Sequence, residues 1–322
     1  MRALTMTYPS RISGPPERRL LDVDDPVPNS GEVVVRVHYA ALSAIDLENS
    51  HGKHRLRNQL TLRSTPVVSG IEMAGVVETS GGRLAAGDRV VGYTDIARGP
   101  FFHAERVAIH EESLMALPDD VALDAAASVV GGALPSIAAL ERIADVQDGA
   151  RVLITAATGG VGSVAVPLAR HLGASVAAVC HSSQEAYARQ LGATETYAYD
   201  RDELPPSGSG FDVVFDAAAA LSFAQARPLL TPSGWYISTM PQRDLGGWLR
   251  SKFASQRWGY LLERNADQQR LGRVVELMAD GVLSSVIDSS HPFEEFERAF
   301  ARQHESAKRG KILLDLSQSA TS

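Results

Sequence analysis

The sequence predicts an α/β protein with two domains, one β-rich and barrel-like and the other built on a doubly wound parallel sheet. The chain has 322 residues, which is enough for two hydrophobic cores. Short strand-like runs separated by glycine and proline fill residues 1–118. From residue 151 onward, strand-like and helix-like segments alternate, which indicates parallel strands joined by crossover helices.

The β-rich part has its first clear strand after the turn signal P-V-P-N-S-G. Strands are predicted at residues 32–39, 73–79, 89–91 and 105–109. Residues 48–65, between the first two of these strands, are rich in histidine, arginine and asparagine and show no strong period. We therefore expect a mobile or helical insertion there.

An alanine-rich connector follows at residues 119–146. It is predicted as a helix in two pieces, because Gly131, Gly132 and Pro135 interrupt it. The α/β part then has predicted strands at residues 152–155, 175–180, 196–199, 211–215, 235–239, 285–287 and 311–316. Its predicted helices lie at residues 184–191, 221–230, 266–280 and 293–303, with one more directly after the first strand.

The most informative stretch is R-V-L-I-T-A-A-T-G-G-V-G, residues 151–162. An apolar, β-branched run stops at small residues and glycines, and a helical pattern follows. A strand, glycine turn and helix in this order bring backbone N–H groups close to a pyrophosphate at a helix N-terminus. The context therefore predicts a dinucleotide-binding site. Its residues are Ala156, Thr158, Gly159, Gly160, Val161 and Gly162.

The end of the second strand decides which dinucleotide is expected. About 20 residues past the first glycine, sites for NAD place an acidic residue on the ribose 2′-hydroxyl. This sequence instead has Cys180, His181, Ser182 and Ser183 there. The two serines can donate hydrogen bonds to a 2′-phosphate, and His181 or Arg189 can add charge. NADPH is therefore favoured over NADH, although the serines could also simply cap the next helix.

The net charge, the cysteine count and the apolar runs of the sequence argue against several kinds of partner and site. The formal net charge of −7 argues against nucleic acid or an anionic membrane surface as a partner. Cys180 is the sole cysteine, which excludes an intramolecular disulfide and a cysteine-based zinc cluster. The first residues lack the apolar core of a signal peptide, and no apolar run approaches the roughly 20 residues of a membrane span. We expect a soluble, cytoplasmic protein that acts on a small molecule.

Several motifs together resemble the medium-chain dehydrogenase/reductases, and within them the zinc-independent quinone oxidoreductase branch. They are P-V-P-N-S-G-E-V-V-V-R-V at residues 26–37, G-I-E-M-A-G-V-V at 70–77, the glycine turn, G-F-D-V-V-F-D at 210–216 and R-G-K-I-L-L-D at 309–315. The resemblance implies a GroES-like catalytic domain formed by residues 1–122 and 263–322. It also implies an inserted Rossmann domain at residues 123–262, and a homodimer.

The same resemblance indicates whether a catalytic zinc ion is expected. In the zinc-dependent branch a cysteine would stand at Ser43 and a histidine at Ile71, and the four-cysteine structural loop is absent here. The resemblance therefore implies an enzyme without zinc. A zinc alcohol dehydrogenase stays an alternative only if the scattered histidines form a new site; these are His38, His51, His54, His103 and His110.

For the chemistry, the resemblance implies hydride transfer from NADPH to a quinone, an enone or a similar activated double bond. The positions that it places near the nicotinamide are Ser43, Asp46 and the loop that follows. His51 and Arg55 lie in the irregular insertion and could bind an anionic or phenolic substrate. Asp46 could instead have a structural role, in which its carboxylate caps a helix or accepts hydrogen bonds from backbone N–H groups. His51 and Arg55 could be ordinary charged residues of the surface. Lys311 matches a position close to the cofactor, with a solvated lysine as the alternative. Pro135 replaces a threonine usual in the family, and Ser136 could compensate.

The sequence alone leaves three questions open. The protein could be an enoyl-thioester reductase or a tailoring reductase of a biosynthetic pathway within the same superfamily. It could also bind the cofactor with little or no turnover, an alternative motivated by Pro135. Finally, the aromatic residues Trp248, Phe253 and Trp258 could pack under a loop or form a pocket wall or a subunit contact.

Overall fold

The structure is a computed structural model that describes residues 1–7, 16–53, 67–94, 99, 101–261 and 266–318. The chain divides into two compact units. The first comprises Met1–Gly131, Arg264–Glu305 and Lys311–Ser322, and the second comprises Gly132–Glu263 and Ser306–Gly310. A five-residue segment from near the end of the sequence therefore belongs with the second unit.

The first unit is β-rich, as the sequence predicts. Its described strands are β1 (Arg2–Thr7), β2 (Glu17–Asp22), β3 (Glu32–Leu42), β4 (Val67–Val68), β5 (Glu72–Val77), β6 (Arg89–Tyr93), β7 (Arg106–His110), β8 (Leu114–Ala116), β15 (Ile287–Pro292) and β16 (Lys311–Asp315). They form one sheet in the order β2-β1-β4 and a larger sheet in the order β15-β16-β3-β5-β6-β8, with β7 also paired to β3. Phe102, Phe293 and Phe300 fill the core between valine and leucine side chains of these strands.

The helices of the first unit are α1 (Ala44–Ser50), α7 (Gln268–Ala279) and α8 (Phe296–His304). Helix α1 covers the start of the predicted 48–65 insertion. Residues 54–66, which include His54 and Arg55, lie outside the described residues.

The second unit contains a parallel sheet in the order β11-β10-β9-β12-β13-β14. Its strands are β9 (Arg151–Ile154), β10 (Ser175–Cys180), β11 (Glu195–Ala198), β12 (Phe211–Asp216), β13 (Leu230–Ser238) and β14 (Arg257–Tyr260). Its helices include α3 (Gly162–His171), α4 (Glu185–Gln190), α5 (Phe223–Ala226) and α6 (Leu245–Ser251). This strand order is that of a doubly wound Rossmann sheet, so the predicted fold class is confirmed. The sequence prediction missed β14, which contains Trp258.

The predicted break in the connector is wrong. Helix α2 (Leu123–Ile137) runs through Gly131, Gly132 and Pro135, and a π-helical turn (Ala138–Ile143) continues it. Residues 123–143 are long and apolar enough to span a membrane by length and composition, but 78% of the window is buried inside the protein. The expectation that no run approaches that length is therefore also wrong. Burial of an almost wholly apolar helix outweighs the intrinsic cost of its glycines and proline.

A buried ion pair lies between the larger sheet of the first unit and helix α2. Lys311 Nζ, at the start of β16, is 2.6 Å from Glu72 Oε1, at the start of β5, and both residues are almost fully buried. Burial raises the pKa of Glu72, and the nearby ammonium of Lys311 opposes that shift. A Cβ at Gly131 would lie 2.0 Å from the Glu72 carboxyl carbon, so the glycine makes room for the pair.

We expect Lys311→Met to destabilise the protein by about 3–5 kcal/mol, because it leaves the Glu72 carboxylate buried without its counter-charge. The double variant Lys311→Met/Glu72→Gln should recover a large part of that loss. Chemical denaturation of the two single variants and the double variant measures this coupling. Additive losses, or a loss below about 1 kcal/mol for Lys311→Met, would show that the pair is not an important contact.

Candidate dinucleotide-binding site

The glycine turn lies at the carboxyl end of β9 and leads directly into α3. Gly159 N donates to Ala156 O at 2.9 Å, and Ala157 N donates to Val179 O on the neighbouring strand at 3.0 Å. A Cβ at Gly162 would lie 2.2 Å from Ala156 O, so α3 can start this close to the strand only with glycine there. The turn contains each of the residues predicted from the motif: Ala156, Thr158, Gly159, Gly160, Val161 and Gly162.

The N-terminus of α3 is suited to an anion. Its N-cap residue is Val161, whose side chain offers no acceptor to the first N–H groups of the helix. Gly132 packs against the turn from α2, where a Cβ would come within 2.3 Å of Gly160 O. A helix N-terminus with close backbone approach on one side is the arrangement that binds a pyrophosphate.

A buried carboxylate supports this edge of the sheet. Asp216, the last residue of β12, accepts hydrogen bonds from Thr155 Oγ1 at 2.6 Å and from Tyr236 OH at 3.1 Å. It also accepts from the backbone N–H groups of Ala220 and Leu221, at 3.1 and 2.9 Å. Burial and this carboxylate raise the pKa of the Tyr236 hydroxyl, which keeps it protonated as a donor. Asp216 thereby joins the ends of β9, β12 and β13.

The residues that follow β10 form hydrogen bonds with one another and with Asp200, which follows β11. Ser182 donates through its N–H and its hydroxyl to the Asp200 carboxylate, each at 2.7 Å, and His181 Nε2 is 3.6 Å from the same carboxylate. Hydrogen bonds from Ser182 hold the pKa of Asp200 below its usual range. His181 Nδ1 accepts from Ser183 N, so the histidine is the capping residue of the turn that follows. The two serines do not cap it themselves.

Asp200 is a functional candidate that the sequence prediction missed. No acid directly follows β10, but β11 is paired with β10 in parallel, so the residues after β11 meet those after β10 at one edge. The signal was therefore present in the sequence as Tyr199-Asp200 after the third strand. It required knowledge of the strand order. Asp200 brings negative charge to the region where a 2′-hydroxyl or 2′-phosphate is expected.

The other predicted residues at this edge have definite places. Arg189 donates to Glu185 Oε2 at 3.2 Å and to Thr196 Oγ1, so its charge is paired on helix α4. Cys180 is buried at the end of β10, and burial raises the pKa of its thiol to about 11. It therefore contributes packing and remains an unreactive thiol at neutral pH.

Residues 306–310 lie against the same site. Gly310 N donates to Thr158 O at 2.8 Å in the glycine turn. Ala307 O accepts from Gln184 Nε2 at 2.9 Å, and Arg309 Nε donates to Gln184 Oε1 at 2.7 Å. The sequence prediction placed the next residue, Lys311, close to the cofactor. It did not identify residues 306–310, which are separated by more than 120 residues from their partner Gln184.

In the first unit, Ser43 and Asp46 hold the start of α1. Ser43 donates to Asp46 Oδ2 through its hydroxyl at 2.6 Å and its N–H at 2.9 Å. Asp46 Oδ1 accepts from Gly70 N at 3.1 Å, and the carboxylate is buried. The geometry favours the alternative in which Asp46 bonds backbone. His51 follows α1 as its C-cap residue. Its ring packs edge-on against the ring of His304, with 5.0 Å between the ring centroids.

The buried imidazole of His103 lies close to the Asp46 carboxylate. His103 Nδ1 is 2.8 Å from Ser69 Oγ, and its ring occupies the space that a Cβ on Gly70 would need. Burial lowers the pKa of His103, although the nearby Asp46 opposes this. The imidazole is therefore neutral at neutral pH and acts as a packed hydrogen-bonding group.

Pro135 and Lys311 are both buried. Pro135 lies inside α2 and offers no polar side-chain atom, and Ser136 donates its hydroxyl to Gly132 O within the same helix at 2.7 Å. The Ser136 hydroxyl proton is therefore already donated, while its oxygen can still accept a hydrogen bond, so the suggested compensation stays a prediction. Lys311 is bound to Glu72, so the alternative of a solvated lysine is wrong.

At the described positions where the resemblance would place zinc ligands, the side chains do not fit a zinc ion. At the two positions where the zinc-dependent branch has ligands, Ser43 is bonded to Asp46 and Ile71 is a buried apolar side chain. Within the described residues, no group of three or more His, Cys, Asp or Glu side chains is placed to hold a metal. A catalytic zinc needs three such protein ligands.

Two family models match the chain. The one described as "Alcohol dehydrogenase GroES-like domain" matches residues 29–119, and the one described as "Zinc-binding dehydrogenase" matches residues 191–314. Among solved structures, the quinone oxidoreductase from Coxiella burnetii superposes with a TM-score of 0.83 at 22% identity, covering 98% of this chain and 99% of that one. This likeness shows the fold.

Similarity to curated proteins extends over nearly the whole chain. The "Quinone-oxidoreductase homolog, chloroplastic" of Spinacia oleracea is 30% identical over 310 residues, which are 92% of this chain and 93% of that protein. The "Pikromycin polyketide synthase component PikAII" of Streptomyces venezuelae is 29% identical over 268 residues, which are 78% of this chain and 7% of that protein. From its fold, its glycine turn and these relatives, the chain belongs to the medium-chain dehydrogenase/reductase superfamily, in its quinone oxidoreductase-like branch.

Proposed function

We propose that the protein is an NADPH-dependent, zinc-independent oxidoreductase that transfers hydride to a quinone, an enone or a similar activated C=C or C=O group. The observation that carries this proposal is the glycine turn, where a helix N-terminus without a side-chain cap follows a parallel strand in a quinone oxidoreductase-like chain. The expected cytoplasmic location remains a prediction.

The bound dinucleotide supplies a hydride from its nicotinamide C4, and the acceptor takes the hydride and a proton. A quinone thereby becomes a hydroquinone, and NADPH becomes NADP⁺. We propose that water supplies the proton, because the Ser43 hydroxyl is donated to Asp46 and Pro135 has no side-chain donor. The protein contributes binding and orientation of the two reactants.

We propose that the charged and polar groups beside the carboxyl end of β10 decide whether the protein prefers NADPH or NADH. Asp200 takes the hydrogen bonds of Ser182 and adds a negative charge, which disfavours a 2′-phosphate. Ser183 and His181 favour it. We propose that the second group prevails and that NADPH binds more tightly than NADH.

An enoyl-thioester substrate is the second candidate. It is supported by the similarity to a polyketide synthase component over 78% of this chain. Hydride transfer to the β-carbon of an enoyl thioester needs the same cofactor site, so only the acceptor distinguishes the two candidates. Steady-state rates with NADPH and matched panels of quinones, enones and enoyl thioesters would decide. A protein that binds NADPH tightly but reduces none of them would instead be a cofactor-binding protein with little or no turnover.

We propose that the protein is a homodimer, formed through the edge of the second unit. Strand β14 pairs with β13 on one side only, within the described residues. Beside it in sequence, Trp248, Leu249 and Phe253 are exposed at 46%, 58% and 89%. Trp258, in contrast, packs against Phe223 and Tyr236. An unpaired strand edge with adjacent exposed apolar side chains favours a self-complementary contact with a second copy.

NADPH should raise the thermal stability of the protein, because a ligand that binds only the folded state stabilises it by mass action. Gly159→Asp should weaken NADPH binding by roughly 100-fold, since it sets a carboxylate against the pyrophosphate at the helix N-terminus. The uncharged, equally sized Gly159→Asn is the control and should lose much less. Calorimetry and thermal unfolding measure both. The absence of stabilisation by NADPH or NADH at millimolar concentration would refute the proposed function.

The dimer should dissociate when its apolar surface is charged. We expect Leu249→Asp/Phe253→Asp to give a monomer in light scattering coupled to size exclusion, where the wild type gives a dimer. Val27→Asp is a matched control, because Val27 is 83% exposed but lies in the first unit. A monomeric wild type at micromolar concentration, or a double variant that remains dimeric, contradicts this interface.

A further inference from the structure

Two histidine rings that are far apart in the sequence lie against each other in the first unit. His51 directly follows helix α1, and His304 is the last residue of helix α8. Their ring centroids are 5.0 Å apart, and the rings meet edge to face with an angle of 75° between their planes. Both residues are exposed to solvent. The hydride transfer proposed above does not require either ring.

The backbone that carries each ring is held by buried contacts. Helix α1 starts beside the buried Asp46 carboxylate, which accepts a hydrogen bond from Gly70 N at 3.1 Å. Helix α8 is anchored in the core by the buried Phe300, and Arg302 Nε is 2.7 Å from Asp288 Oδ2. The two exposed rings can still turn, because exposed side chains change rotamer rapidly. The fold therefore fixes where the rings lie and leaves their orientation adjustable.

The distance between the rings matches that of two imidazoles bound to one metal ion. An imidazole nitrogen binds Zn²⁺ at about 2.0–2.1 Å, and tetrahedral geometry then places the centres of two such rings about 5 Å apart. The observed separation of the His51 and His304 centroids is 5.0 Å. Neutral imidazole is also the commonest protein ligand for transition metals, and it suits Zn²⁺ and Cu²⁺.

The surroundings of the two rings leave their nitrogen atoms accessible. Within the described residues, the partner of each ring is the other ring, and neither imidazole forms a side-chain hydrogen bond or an ion pair. Glu48 lies one turn before His51 on α1, and Glu305 directly follows His304. Each of these carboxylates is paired with a basic side chain, at 3.6 and 2.7 Å respectively. No uncompensated positive charge of these pairs therefore opposes a bound cation.

We propose that His51 and His304 together bind one divalent transition-metal ion, Zn²⁺ or Cu²⁺, which links helix α1 to helix α8. Water completes the coordination, since no group of three or more His, Cys, Asp or Glu among the described residues is placed to hold a metal. The ion is structural, because the pair lies at neither Ser43 nor Ile71, where the zinc-dependent branch has its ligands. The site does not require the dinucleotide, so its test is independent of the proposed function.

Calorimetric titration of chelator-treated protein with Zn²⁺ tests the site. We expect one ion per chain. His51→Asn and His304→Asn should each weaken binding by about tenfold or more, since each removes one of the two protein ligands. The double variant should lose little more than either single variant, because one substitution already destroys a shared site. His171→Asn is the matched control and should change nothing, because His171 is also exposed but lies in the second unit.

Electron paramagnetic resonance with Cu²⁺ counts the ligands directly. The wild type should show coupling to two imidazole nitrogens, and either single variant should show coupling to one. Because the wild-type spectrum alone is informative, a variant that fails to fold does not remove the test. The proposal is overturned if the wild type binds no Zn²⁺ at millimolar concentration or shows coupling to one imidazole only. It is also overturned if neither substitution weakens binding, if the two losses are additive, or if His171→Asn has the same effect.

Discussion

The buried carboxylate of Asp216 is the constraint on which the dinucleotide site depends. Two backbone N–H groups and the hydroxyls of Thr155 and Tyr236 converge on it at the carboxyl end of the parallel sheet. Because a buried carboxylate without donors is costly, these four donors and the acid fix one another. Thr155 is the first residue after β9, so the glycine turn starts from a fixed point. The close approach of Gly162 to Ala156 then sets the start of α3.

Two carboxylates of the first unit, those of Glu72 and Asp46, are buried, whereas Asp200 of the second unit is exposed. Lys311 Nζ donates to Glu72 Oε1, and Ser43 and Gly70 donate to Asp46. The two buried carboxylates therefore support structure more than they offer reactive groups. In the second unit, the exposed Asp200 lies beside the residues after β10, where a ribose is expected. Its charge therefore bears on ligands that differ there by one phosphate.

Much of the fold could be predicted from the sequence, because periodicity and glycine turns are local signals. The strand at residues 175–180 was predicted with its observed bounds, and the glycine turn was identified from its context alone. Helix α2 was mispredicted, since burial overrode the intrinsic preferences of Gly131, Gly132 and Pro135. The carboxyl-end position of Asp200 depends on strand order, and that of Arg309 on a tertiary contact with Gln184. Neither relation is encoded in a short motif.

We propose that this chain carries out hydride transfer from NADPH without a metal. The most direct test is the oxidation of NADPH by a simple benzoquinone, followed by the absorbance of the reduced nicotinamide, with protein treated with a strong chelator. We expect steady oxidation that is proportional to protein concentration and unchanged by the chelator. The proposal is wrong if no oxidation occurs, or if the chelator abolishes an activity that zinc then restores.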